Sequence, residues 1–232
     1  MRTTIILTGA LMVLCVSNAF GQHYDPFFSL NGEAGSKGVT AALSAGDVAD
    51  IAKGDIMIMG KTAINDQIEV GVNIGSGVLA DGGSAFSHAL IGAKYGLGES
   101  RAATVNLLAP VGDHEDPGLA IGIQNVQEIG GMSVNEHLQI SLLKGFAPVG
   151  VGIDLFLEPV KEINDKMIFY FDVFVSTNTD NIGDWLSIDV APNLDYMLSD
   201  TMALNVGIAL NAYDGIARDE DIGFGIALVA GL

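Results

Sequence analysis

Asp113, His114, Glu115 and Asp116 form the tightest group of metal-capable side chains in the sequence. Carboxylates suit hard cations, and an imidazole would add transition metals. The group lacks EF-hand spacing and the chain has no HExxH, so it reads as a solvated acidic loop, and no metal site is expected. Arg218-Asp219-Glu220-Asp221 reads the same way. Ser87-His88 sets a hydroxyl beside an imidazole, but neighbours on a strand point to opposite faces and cannot readily pair as nucleophile and base. GxSxG, GxGxxG, CxxC and Walker motifs are missing, so neither an enzyme nor a cofactor is expected. What remains is a scattered set of ionisable residues: Asp55, Glu69, Asp154, Asp172, Asp189 and Asp195, with Lys61 and Lys94 as the bases among them. Each falls on the polar side of an alternating segment. Pointed into a lumen, such groups keep it wetted, and their excess of acid raises the local cation concentration. Asp154, Asp172 and Asp189 could neighbour one another across strands, but paired carboxylates alone are weak evidence of a site.

The segments that must position them alternate with period two, the period of a strand. Ile68, Val70, Val72 and Ile74 share one face, and Gln67, Glu69, Gly71 and Asn73 the other. Met202, Leu204, Val206, Ile208 and Leu210 oppose Ala203, Asn205, Gly207 and Asn211. About twelve such strands are expected, near 38–45, 54–63, 66–75, 87–97, 102–111, 118–126, 137–145, 148–158, 166–177, 185–197, 201–211 and 221–231. Their length suits the ~9–11 residues of a tilted membrane-crossing strand. The pattern is faintest over 126–137, and Phe156, Ile168 and Phe174 interrupt the polar face. Tight turns at Ile64-Asn65-Asp66, Gly98-Glu99-Ser100, Asn164-Asp165 and Leu198-Ser199-Asp200 alternate with longer connections. These run over 46–53, 75–85, 112–117, 178–184 and 212–221. Phe146-Ala147-Pro148 gives only a short link where a long one is due.

Composition narrows the class. The chain has 232 residues, 10 basic and 28 acidic, for a net charge of −18. That charge disfavours nucleic acid as a partner. Hydrophobic residues make up 49% and charged residues only 16%, too apolar for an acidic disordered chain. Cys15 is the only cysteine, which excludes a disulfide scaffold. Residues 1–21 read as a signal peptide: Arg2 as basic start, Ile5 to Val16 as apolar stretch, and Ala19-Phe20-Gly21 as cleavage site. The apolar stretch is shorter than the ~20 residues of a spanning helix. The layout is then 1–21 signal peptide, 22–37 N-terminal segment and 38–232 barrel domain.

A soluble β-sandwich would alternate too, but it turns its greasy face inward and a strongly polar face outward. Here the weaker face is rich in Gly, Ala, Ser and Asn, which suits a crowded lumen. The greasy face is nearly free of charge, as lipid contact requires. The expectation is all-β: a single antiparallel up-and-down transmembrane barrel, with the secreted sandwich as the rival. The chain resembles bacterial outer-membrane β-barrel proteins. The resemblance is carried by Ala89-Leu90-Ile91-Gly92-Ala93-Lys94-Tyr95-Gly96-Leu97 and by 187–200, a strand entering a turn. Residues 88–111, with Pro110-Val111-Gly112-Asp113 ending a strand, resemble outer-membrane transport barrels of the phenol-degradation MetA type. The chain departs from such barrels at Leu232, where they usually carry an aromatic residue, and in having one tryptophan, Trp185.

The resemblance implies export to the outer membrane of a Gram-negative-type bacterium. It implies contact with outer-membrane lipid and with the assembly machinery. The function expected is a narrow pore or small-solute transporter with an acidic lumen, carrying a small solute or cation. The alternative is a closed barrel serving structure or adhesion. The His-x-Ser-Asn-Gly element of twelve-stranded outer-membrane phospholipases is absent.

Overall fold

The computed structural model describes residues 35, 37–45, 55–76, 88–112, 116–215 and 222–231. Residues 1–21, expected to be a signal peptide, most of the expected N-terminal segment, the Asp113-His114-Glu115 stretch, Ser87 and Arg218-Asp219-Glu220-Asp221 lie outside the described residues. No described helix is long and apolar enough to cross a membrane.

Twelve strands follow one another: β1 (Lys37–Ala45), β2 (Asp55–Asn65), β3 (Ile68–Ser76), β4 (His88–Gly98), β5 (Arg101–Leu108), β6 (Gly118–Ile129), β7 (Met132–Ser141), β8 (Gly152–Asn164), β9 (Met167–Asn178), β10 (Ser187–Ser199), β11 (Met202–Asp214) and β12 (Ile222–Gly231). Each pairs antiparallel with its sequence neighbours, and β1 also pairs with β12, so one sheet closes on itself. The rival sandwich needs two sheets and is therefore not what forms. Closure leaves no unpaired edge among the strands. The closing seam pairs small residues at alternate positions, Gly38 with Gly231, Ala42 with Ala227 and Ser44 with Gly225, while Leu43 pairs with Ile226 and Ala45 with Phe224 between them.

The five connections β2–β3, β4–β5, β6–β7, β8–β9 and β10–β11 are two-residue turns at one end of the barrel. Side chains just before them fasten the backbone: Asn65 Oδ1 accepts from Gln67 and Ile68 N–H at 2.9 Å each, Asn164 Oδ1 from Lys166 N–H at 3.0 Å, and Ser199 Oγ from Thr201 N–H at 3.3 Å. The connections at the other end span 46–54, 77–87, 109–117, 142–151, 179–186 and 215–221. This short-turn and long-loop asymmetry is that of outer-membrane barrels.

The strand expectations stand with local corrections. The link around Phe146-Ala147-Pro148 is a long connection, because β7 stops at Ser141 and β8 begins at Gly152. The faint stretch 126–137 is a hairpin turning at Gly130-Gly131, both at positive φ (61° and 77°), where a two-residue hairpin turn favours glycine. Alternation fades there because the hairpin carries polar groups on its outer face as well. Asn125 Nδ2 donates to Glu136 at 2.8 Å, and Gln127 also bonds Glu136.

Elsewhere the outer face is apolar and the inner face buried. Ile58 and Ile91 are 54% and 58% exposed, and Val72, Leu107, Ile121, Leu138, Val206 and Ile208 are exposed with them. Continuous exposed apolar surface on this scale is foreign to a soluble monomer and fits lipid contact. The inner positions alternate with these, as Glu69 does with Val70 and Asn205 with Val206.

Candidate functional site: a polar ring with unlike walls

The inner surface sorts its charges by strand. On β2–β4 the Glu69 carboxylate lies 3.0 Å from Lys94 Nζ and 3.7 Å from Lys61 Nζ, so one acid holds two bases. Glu69 and Lys94 are each 1% exposed. A buried ion pair of this kind must be geometrically tight to offset the loss of hydration. The three residues sit in the halves of their strands nearer the two-residue turns.

Six strands around a ring of twelve from β3 lies β9, so β9 is opposite. Its Asp172 is fully buried and accepts a 2.8 Å bond from Asn193 Nδ2 on β10. Beside it, Tyr170 donates to Asp195 Oδ1 at 3.1 Å, and Asn205 Nδ2 on β11 reaches the same oxygen at 2.6 Å. Asn205 also bonds the Tyr170 hydroxyl. Glu158 faces in from the middle of β8 and bonds Asn135. Among the described residues, the inward positions of β8–β11 carry no Lys or Arg.

Between the two walls the ring is neutral and hydrogen-bonded. His137 Nε2 on β7 meets Thr104 Oγ1 on β5 at 3.0 Å, and Asn106 Nδ2 donates to Gln139 Oε1 at 3.0 Å. Both bonds pass over β6. Gly122 allows it: a Cβ there would lie 2.5 Å from His137 Nε2 and 2.7 Å from Thr104 Oγ1.

A second acid tier lies toward the long loops. Asp154 accepts from Ser141 Oγ at 3.2 Å and, longer, from Gln139 Nε2 at 3.4 Å. Asp189 accepts from Ser187 Oγ at 3.1 Å and from Asn211 Nδ2 at 2.7 Å. Phe156, Phe174, Ala191 and Ala209 pack together between the tiers. The aromatic interruptions seen in the sequence are thus an apolar inner patch.

Asp154, Asp172 and Asp189 are not direct cross-strand partners. In register, Asp154 faces Ser176, Asp172 faces Ala191 and Asp189 faces Phe174. Glu69, Lys61, Lys94, Asp154, Asp172, Asp189 and Asp195 all take inner positions, while Asp55 opens β2 opposite Ser44 with its side chain outside the described residues. His88 is buried and meets Asn73 Oδ1 at 3.1 Å, not a serine.

Sequence reasoning passed over Glu158, His137, Thr104, Asn193 and Asn205 as site residues. Glu158 was legible, since it stands four residues from Asp154 on the same face. Among the described residues no group of three or more His, Cys, Asp or Glu is arranged to hold a metal ion.

No family model and no curated protein matches the sequence. Solved structures do match the fold. An outer-membrane channel from Pseudomonas putida F1 superposes with a TM-score of 0.64 over 88% of this chain and 98% of its own, at 11% identity. The KdgM porin, solved in complex with disordered oligogalacturonate, gives 0.60 over 84% and 98%, at 7% identity. The NanC porin gives 0.56 over 84% and 98%, at 8% identity. The chain has the fold of these outer-membrane porin and channel barrels.

Proposed function

We propose that the protein is an outer-membrane channel with a narrow, cation-favouring lumen for small solutes or ions. The observation that carries this reading is the inner ring in which an acid-lined wall on β8–β11 stands opposite the Lys61–Glu69–Lys94 wall. Acids in a low-dielectric passage focus their field on the path and raise cation occupancy there. Asn193 and Asn205 add amides to this wall, bonded to Asp172 and Asp195. The porin and channel folds it superposes on support a pore, and the apolar outer face supports the lipid setting. With that setting go a cleaved signal peptide, delivery by the outer-membrane assembly machinery and no enzymatic activity.

The closed structural or adhesive barrel is favoured by one observation. Lys94, Asp172 and Asn106 are buried at 0–1% exposure, so the ring is tightly packed. Planar-bilayer recording separates the two readings. Folded protein should conduct, and its reversal potential in a salt gradient should show cation preference. Replacing Asp154, Asp172 and Asp189 with Asn should reduce that preference. A silent bilayer with correctly folded protein would establish the closed reading.

A further inference from the structure

The outer wall is not evenly covered. On β2 the outward position between Ile58 and Thr62 is Gly60, which pairs with Val39 on one side and Val72 on the other. A Cβ built there meets nothing within 4 Å. The gap belongs to an apolar groove of about 440 Å³ whose lining includes Lys37, Val39, Gly60, Val70, Val72 and Ile91. That volume is within the ~300–1,000 Å³ of small-molecule sites. Lys37 is exposed and faces Thr62 across the ladder, two residues from Gly60 toward the two-residue turn.

We propose that this groove seats one acyl chain of a membrane phospholipid, with the lipid phosphate held by the Lys37 ammonium. The inference rests on the membrane placement proposed above and adds a binding site to it. A dent in a wall facing hydrocarbon must be filled, because lining atoms without neighbours lose their dispersion contacts. A flexible hydrocarbon chain fills such a dent better than water, which finds few polar partners along an apolar lining. The lysine selects for an anionic headgroup at the depth where long basic side chains reach the interface. The two features together fit a ligand that is greasy at one end and negative at the other. Lys37 lies toward the short-turn end of its ladder with β2, so the lipid belongs to the leaflet on that side.

The test uses the full barrel in detergent, with dioleoylphosphatidylglycerol and the phosphate-free dioleoylglycerol titrated separately and read by native mass spectrometry. Wild type should retain one phosphatidylglycerol in preference to dioleoylglycerol. Gly60→Leu fills the groove and should reduce retention of both about tenfold. Lys37→Gln should weaken phosphatidylglycerol about fivefold and leave dioleoylglycerol unchanged. Ala103→Leu, an enlargement on the lipid face of β5, should change nothing. Heat-modifiable gel mobility checks that each variant is folded, and insertion into vesicles checks the membrane placement. Protein that inserts but retains no more lipid than Gly60→Leu overturns the groove alone. Equal loss in Ala103→Leu also overturns it. Folded protein that does not insert overturns both readings.

Discussion

The walls on β2–β4 and β8–β11 answer the same need in different ways. Each must keep ionisable side chains inside a barrel whose outside is apolar. The first wall pairs them, with Glu69 between Lys61 and Lys94. The second has no base and spreads its carboxylates among amides and a phenol: Asn193 on Asp172, and Tyr170 and Asn205 on Asp195. Pairing makes a locked strut whose members depend on one another. Amide contacts make a surface in which the acids face no base, and Asp172 and Glu158 lie within side-chain hydrogen-bond reach of each other.

The largest effect should follow from breaking the strut on one side only. Lys94→Met leaves Glu69 buried with only the more distant Lys61 and should cost about 3 kcal/mol. It is read as a lower temperature for loss of the heat-modifiable band, or as a lower urea midpoint in micelles. Glu69→Gln added to Lys94→Met should restore most of the loss, because no uncompensated charge then stays buried. If the double variant is as unstable as the single one, charge pairing is not what matters on this wall.

Next comes the neutral stretch that joins the walls. Gly122→Ala places a methyl against His137, Thr104 and the Leu138 carbonyl, and should cost about 1–3 kcal/mol by the same assay. Ala120→Gly, one inward position away on the same strand, separates this clash from a general intolerance of β6 and should cost no more than about 1 kcal/mol.

On the acid wall, single losses should be smaller. Tyr170→Phe removes the hydroxyl that Asp195 and Asn205 share and should cost about 1 kcal/mol, since Asn205 still holds Asp195. A cost as large as that of Lys94→Met would show that this wall is as interdependent as the other.

The smallest effect in energy bears on transport. A unit charge about 8 Å from an ion in water is worth roughly 0.5 kcal/mol, or about a twofold change in occupancy. Asp195→Asn should therefore lower the cation-to-anion permeability ratio by about twofold in bilayer recordings. Lys61→Gln should raise it by a similar factor. Shifts of the same sign in both variants would remove any distinction between the walls as electrostatic surfaces.

Much of this was legible in the sequence. Period-two alternation places Glu69 opposite Val70 and Asn205 opposite Val206 in sense, and the structure puts them on the inner and outer faces. It fails where its cause fails: at Asn125, Gln127 and Glu136 polar groups cover the outer face too, so the β6–β7 hairpin lost its signal although Gly130-Gly131 marked the turn. The unlike walls were within reach but went unread. In an up-and-down barrel chain order is ring order, so two bases at 61 and 94 and acids from 154 to 195 already lie on opposite sides. What alternation could not supply is register. Asp154 meets Ser176 rather than Asp172 because the β8–β9 pairing is set at its two-residue turn, and neither residue's type records that offset.

The seam between β1 and β12 bears on how the barrel comes together. The other ladders join strands that are sequence neighbours, five of them across two-residue turns, so their ends are already close. The seam joins Gly38 to Gly231, nearly the whole chain apart, and carries the greatest loss of chain entropy of any ladder. Hairpins therefore accumulate first and this ladder forms last. The small pairs Gly38–Gly231, Ala42–Ala227 and Ser44–Gly225 recur at alternate positions along it, so on that face two edges can meet with few bulky side chains to rearrange.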